Sequence, residues 1–361
     1  MKTIKAAVCH AFGAPLNIED VQLRAPEAGE IEVALDAVAI CHSDISYADG
    51  SWGGSLPAVY GHEAAGHITA TGPGVTGLDV GDPVIVTLIR ACGQCPSCGA
   101  GRPTGCETPF DGDHGALKTA DGGKLHQAMA CGAFAEAVVV HHSQAVKIPA
   151  GMKMDSASLL ACGVVTGVGA VVNAADLRPG QDVVVIGAGG VGLNAIQGAR
   201  IAGARRIVAV DMTEEKLDIA RGFGATDGVL ATADKPWRAA KDAIGRGADA
   251  VFVTVGAARA YNDAPRYLAG GGKLIMVGMP ATGDASTYEP ASFAAAGQSL
   301  VGSKMGDVVI KRDIPWMIDL YAQGRLQLDE LISQRWSLDQ INEAIADTRT
   351  GTAKRNVILL R

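Results

Sequence analysis

The strongest constraint in this chain is a run of four cysteines within fifteen residues: Cys92, Cys95, Cys98 and Cys106, spaced C-x2-C-x2-C-x7-C. Two-residue spacers let a turn aim successive sulfurs at one point, and Zn²⁺ prefers four thiolates in a closed tetrahedron. The intervening Gly93, Gln94, Pro96, Ser97 and Gly99 are turn formers. A disulfide pair and a ferredoxin-type iron cluster are the other readings of such spacing. A closed tetrathiolate leaves no position for a substrate. The lobe at about residues 90–110 is therefore a pinned loop, and the chemistry must lie elsewhere.

At 361 residues the chain should divide in two, because single cores stop growing at about 250–300 residues. Hydrophobic residues make up 48% and charged residues 19%, which describes a well-buried globular protein. The net charge of -7, with no block of like charges, argues against nucleic acid or an anionic membrane as partner. No apolar run approaches eighteen residues, and the lysine-bearing amino terminus lacks a signal peptide's apolar core. Clustered cysteines suit metal binding in a reducing compartment, so a soluble, cytoplasmic protein is expected.

Roughly the first 160 residues read as short β segments broken by Gly and Pro, at 32–40, 66–71, 83–89 and 134–140. The texture then changes to β–α alternation. Strands are expected at 182–186, 207–210, 250–255 and 273–277, with a helix at 214–223, which argues for a doubly wound parallel sheet. Helical segments at 314–323 and 338–348 and a strand at 355–360 close the chain, and this tail should pack back on the first domain.

Gly187, Gly189 and Gly192 complete G-x-G-x-x-G, with Gly190 and Val191 between the last two. The string follows a strand and opens a helix, and Asp211 closes the next strand nineteen residues on. The first glycine permits the tight turn, the second lets the backbone approach a pyrophosphate, and the third allows close helix–strand packing. Asp211 can accept hydrogen bonds from the adenosine ribose hydroxyls and would repel a 2′-phosphate, so NAD is favoured over NADP.

A catalytic zinc needs three protein ligands and one exchangeable position. Cys41, His62 and Cys162 are the candidates, with Glu63 beside the histidine. Read singly, Cys162 is a small buried hydrophobe and His62 a satisfied histidine. Spacing alone does not bring the three together.

The neighbourhoods do more. CHSD at 41–44, GHEAAG at 61–66, the four-cysteine lobe, LLACGVVTGVGA at 159–170, GAGGVG with Asp211, and KRNVI at 354–358 make the chain resemble the zinc-dependent medium-chain alcohol dehydrogenases end to end. More narrowly, it resembles their long-loop class III, formaldehyde-dehydrogenase-like branch. The resemblance implies an α/β protein. A GroES-like, partly open β-barrel catalytic domain (1–163 and 303–361) would join a Rossmann NAD-binding domain (164–302), with the substrate cleft between them. It implies two zinc ions per chain: Cys41, His62 and Cys162 holding the catalytic one, and Cys92, Cys95, Cys98 and Cys106 the structural one. Ser43 would begin a proton relay, Asp44 would orient His62, and Glu63 would sit behind the metal. His42 and Arg355 would meet the coenzyme pyrophosphate, Lys216 the adenosine ribose, and Thr166 and Val191 the nicotinamide. The implied reaction is reversible hydride transfer from an alcohol to NAD, giving an aldehyde or ketone, in a homodimer or homotetramer paired through an edge strand near 273–277 and 299–301.

Two departures stand out. Where some members carry a relay histidine, this chain has Ser46, followed by Tyr47, so water or Tyr47 is left to complete the relay. The loop at 49–57 carries only Asp49, whereas formaldehyde-type members place an acidic pair there for a glutathione adduct. This speaks against an S-hydroxymethyl-thiol substrate. Trp52 in that loop is either a pocket wall or plain packing. A non-catalytic NAD- or redox-responsive binding protein, or a zinc-free reductase of activated double bonds, would not need Cys41, His62 and Cys162 together.

Overall fold

A computed structural model describes all 361 residues. Its internal contacts gather the chain into two units. One comprises Met1–Cys162, Val309–Tyr321 and Leu328–Arg361, and the other Gly163–Val308 and Ala322–Gln327. The return of the chain to the first unit is thus interrupted. The Gln197 side chain accounts for the interruption: it accepts from the Gln327 amide at 2.8 Å and donates to the Gln327 carbonyl at 3.1 Å. Arg200 adds a 2.6 Å bond to the Arg325 carbonyl, which keeps Ala322–Gln327 with the second unit.

The first unit is β-rich. Strand Glu30–Ala39 is its spine and pairs antiparallel with three others: Glu63–Thr71, Ala137–His141 and the C-terminal Arg355–Leu359. Alternate residues of this spine, Ile31, Val33 and Leu35, are fully buried, as a strand facing a core requires. Much of the tail packs here, with Ile332–Ser337 adding a parallel edge strand beyond Arg355–Leu359. A second, five-stranded sheet includes Lys2–Cys9 and Asn17–Leu23 in register. These sheets are the GroES-like, partly open barrel architecture.

The second unit carries a six-stranded, wholly parallel sheet. Its order is Asp227–Leu230, Arg206–Asp211, Asp182–Ile186, Ala248–Val253, Leu268–Met276 and Ser299–Gly302. Val183, Val184 and Val185 are fully buried, which is why this strand reads as a continuous apolar run rather than an alternation. The connecting helices Gly190–Ile201 and Glu214–Phe223 complete the doubly wound Rossmann pattern. No single helix is long and apolar enough to cross a membrane.

Asp329 fastens the returning segments within the first unit. It accepts from Lys153 at 2.6 Å, Ser156 at 2.5 Å and the Tyr321 hydroxyl at 2.8 Å. Burial alone would raise this carboxyl, but the three donors hold it down at about 2. Its folded value lies below the unfolded one of about 3.9, so the stabilisation is complete above about pH 4 and is lost as pH falls towards 2. With the side chain 35% exposed, solvent screening trims the contribution to about 1 kcal/mol. Asp329→Asn is expected to lose about that much stability in chemical unfolding at pH 7, with the gap closing at acid pH. A gap that does not shrink on acidification would contradict the charge-based account.

Candidate active site

Strand register assembles the first cluster. Ala39 pairs with Glu63 on one side and with Val357 on the other. The chain leaving the spine strand therefore reaches Cys41 beside His62 and close to Arg355. Cys162 follows helix Met154–Ser158 and the 3-10 turn Leu159–Ala161. That helix packs against both Glu30–Ala39 and Glu63–Thr71. One ligand atom each from Cys41, His62, Glu63 and Cys162 lies within 4.8 Å of all the others, and all four residues are buried.

Asp44 organises this cluster. Cys41 is the N-cap of helix His42–Ala48, and the Asp44 carboxylate reaches back to accept from the Cys41 amide at 3.1 Å. Its other oxygen accepts from the Gly61 amide and from His62 Nδ1, both at 2.9 Å. With Nδ1 donating to Asp44, Nε2 is the nitrogen left to bind, and it is buried without a hydrogen-bond partner. A buried imidazole nitrogen without a hydrogen-bond partner, close to two sulfurs, is costly unless an ion completes it. Two thiolates and one such nitrogen suit Zn²⁺.

The charges in the cluster are interdependent. A hydrogen bond from Cys162 and the nearby His62 hold Cys41 well below the ordinary thiol range, while Cys162 is pushed well above it by that same bond and by burial. Burial opposes the charged form of His62, yet Asp44 and Cys41 together raise its pKa well above the usual value. Burial pushes the Glu63 carboxyl up to about 7 against the pull of Arg355. Arg355, expected as a pyrophosphate contact, is 6% exposed and engages Glu63 Oε1 at 2.5 Å. Sequence reading missed this pairing, since no local pattern links two strands so distant in the chain. Ser43 sits in the first turn of the Cys41-capped helix, and His42 next to it is exposed. Tyr47 stacks on Tyr60 and meets Trp52 edge-on, so Trp52 is at least a packing residue.

The four sulfurs of the lobe also lie within 4.8 Å of one another, and none is in a disulfide. Thiolates around one tetrahedral ion with bonds of about 2.3 Å stand about 3.8 Å apart. The spacing fits a single ion, whereas a multi-iron cluster would hold the sulfurs farther apart. Backbone amides already point at them. Cys92 N donates to Cys106 Sγ, Cys95 N to Cys92 Sγ and Glu107 N to Cys95 Sγ, at 3.3–3.4 Å. A hydrogen bond from Thr108, with backbone amides, brings Cys92 down to about 6, which favours the ligating thiolate.

The second unit holds the glycine turn at the carboxyl end of its central strand. Gly187 has φ +99°, and a Cβ there would strike Val255 at 2.4 Å. A Cβ on Gly192 would lie 1.7 Å from the Gly187 carbonyl, the close helix–strand approach expected of the third glycine. Gly189, the helix N-cap, has nothing within 4 Å of its Cβ position, and this open space faces free amides at the helix start. Gly190 and Val191 begin that helix.

Asp211 ends its strand 8% exposed and accepts from Ala188 N at 2.6 Å and Met212 N at 2.7 Å; Lys216 Nζ lies 3.8 Å away. Thr166, on helix Gly163–Gly169, donates to Met305 Sδ at 3.7 Å. Thr254 is a shaping residue the sequence reading overlooked. Its hydroxyl lies 3.0 and 2.9 Å from the Ile186 and Gly187 carbonyls, and its place just past a parallel strand was the available signal.

Comparison with known proteins follows the same division. Residues 27–150 match the alcohol dehydrogenase GroES-like domain, and residues 190–323 match the zinc-binding dehydrogenase family. The NDMA-dependent alcohol dehydrogenase of Amycolatopsis methanolica is 34% identical, over 99% of each chain. Among solved structures, an alcohol dehydrogenase zinc-binding domain protein from Burkholderia ambifaria superposes with a TM-score of 0.95 at 34% identity, covering 100% of this chain and 99% of that one. Benzyl alcohol dehydrogenase from Acinetobacter calcoaceticus does so with 0.94 at 31%, over 100% of both. The chain belongs to the zinc-dependent medium-chain alcohol dehydrogenase family.

Proposed function

We propose that this enzyme oxidises a small alcohol to an aldehyde or ketone reversibly, with NAD as hydride acceptor and two zinc ions per chain. The observation that carries the reading is the buried convergence of Cys41, His62 and Cys162, with His62 Nε2 lacking any other partner. Cys41, His62 and Cys162 would hold a catalytic zinc, which when bound supplies a Lewis acid that stabilises negative charge on a substrate oxygen. Cys92, Cys95, Cys98 and Cys106 would hold the second, structural ion.

The chain's own residues do the rest. Asp44 fixes the tautomer and direction of His62. Ser43 Oγ, which both donates and accepts, takes the proton of the substrate hydroxyl and passes it on towards solvent. Glu63, held by Arg355, places a carboxylate behind the ligand set. Gly187, Gly189 and the amides at Gly190 and Gly192 receive the pyrophosphate, with Asp211 and Lys216 at the adenosine ribose and Thr166 and Val191 at the nicotinamide. The half-exposed edge strand Ser299–Gly302 is the surface through which we expect two copies to pair, within a cytoplasmic enzyme.

Steady-state formation of NADH across aliphatic, aromatic and polyol alcohols tests the activity, with turnover of some alcohol expected; none across the panel, zinc present, would overturn it. Asp44→Asn turns a donor towards the Cys41 amide, and chelator competition should show a 10- to 100-fold loss of affinity, on the order of second-shell effects, at one zinc only. Unchanged zinc retention would contradict the orienting role. Asp211→Asn removes the charge that disfavours a 2′-phosphate. The kcat/KM preference for NAD over NADP should drop on the order of 10-fold, or about 1.4 kcal/mol. A preference for NADP in the unmodified enzyme would refute the cofactor assignment.

A further inference from the structure

The cavity with the fewest explanations in the first unit lies at the base of the four-cysteine lobe, not at the ligand cluster of Cys41. It measures about 220 Å³ and contains none of Cys41, His62 or Cys162 in its lining. That is smaller than the roughly 300–1,000 Å³ of pockets for drug-sized ligands, but ample for a small organic ion with its waters. Both stems of the lobe contribute walls, Arg90 just before Cys92 and Phe110 just after Cys106. His141, Gln127 and Gln144 close it from the β-rich body.

Its electrostatics are unbalanced. Arg90 meets the Phe110 ring, 5.7 Å from guanidinium to centroid, and forms no hydrogen bond or ion pair with another side chain. The other lining arginine, Arg24, is spent on both oxygens of Glu30 at 2.5 and 2.9 Å. The remaining acid, Asp111, is paired with His114 at 2.6 Å and sits at the rim with its side chain 64% exposed. Lys311 has no partner either, and its charge reaches both His141 and His142. Burial, His142 and Arg90 push His141 down to about 4, against the opposing pull of Glu30. His142 Nδ1 is buried with no hydrogen-bond partner. A guanidinium left without an anion beside a polar pocket is where a planar oxyanion binds.

We propose that this cavity binds a small oxyanion, a carboxylate or phosphate group, whose docking on Arg90 clamps the stem of the four-cysteine lobe to the barrel. Such a ligand would tie the Arg90 stem to the barrel wall, so occupancy should slow opening of the lobe without touching the reacting groups. Binding to the folded state alone raises its stability with ligand concentration.

The test uses the zinc-loaded enzyme at constant ionic strength, with inorganic phosphate, succinate or chloride added. A saturable rise in Tm with phosphate or succinate but not chloride, together with slower release of one zinc to a chelator, is expected. Response to both anions marks a general oxyanion site, and response to one alone identifies the preferred group. Arg90→Gln should abolish both effects while leaving alcohol turnover without added anion unchanged. Should that variant fold poorly, Lys311→Gln, at an exposed position, is expected to weaken anion affinity measurably. No saturable response to either anion, or an equal response in both variants, would overturn the proposal.

Discussion

Much of the first unit's chemistry depends on one carboxylate. Asp44 takes three hydrogen bonds, from two backbone amides and one imidazole, and the donors come from two separate stretches of chain. An ionised carboxylate accepts only, so it can satisfy all three at once, and its burial at 1% exposure is tolerable because they do. The same bonds lock His62 with Nε2 free. Cys41 is aimed by its place as helix N-cap, where amide dipoles favour a thiolate.

Around that carboxylate the site is built as charge against charge. Two sulfurs, Glu63 and Asp44 face His62 and Arg355 with little water to moderate them. In such surroundings an unmatched charge costs several kcal/mol, so the ligand set without metal must share protons among its members. A divalent cation held by Cys41, His62 and Cys162 would resolve the conflict by replacing those protons, which would tie metal uptake to proton release and to stability. Glu63 and Arg355 join two of the spine strand's three neighbours, so the C-terminal strand helps to hold the site.

Legibility in the sequence followed the range of the forces involved. The strand Asp182–Ile186 and the helix Glu214–Phe223 were readable to the residue, because a buried parallel strand is a solid apolar run and Thr213 caps the helix. Strand Leu268–Met276 begins five residues before its expected start. Gly270, Gly271 and Gly272 look like a loop, yet pairing with the neighbouring strand continues past a register shift at Ala248 and Ala250. Helix His42–Ala48 was not foreseen, although Asp44 reaching back to Cys41 is a capping pattern. The expectation that Cys41, His62 and Cys162 form a ligand set came from local motifs once a family was in view, and the structure brings one candidate ligand atom of each within 4.8 Å of the others. The partner of Arg355 and the interruption at Ala322–Gln327 were not legible, because both arise from contacts made only after folding.

The two units work in different ways: a β-rich body that brings distant candidate ligands together by register, and a parallel sheet with a glycine turn at its carboxyl edge. Anomalous diffraction at the zinc edge, from crystals of the metal-loaded enzyme, tests the central claim most directly. Two peaks are predicted per chain, one bonded to Cys41, His62 and Cys162 at about 2.0–2.3 Å and one to the four lobe sulfurs. A single peak in the lobe, with Cys41 and Cys162 joined by a disulfide or turned apart, would contradict it.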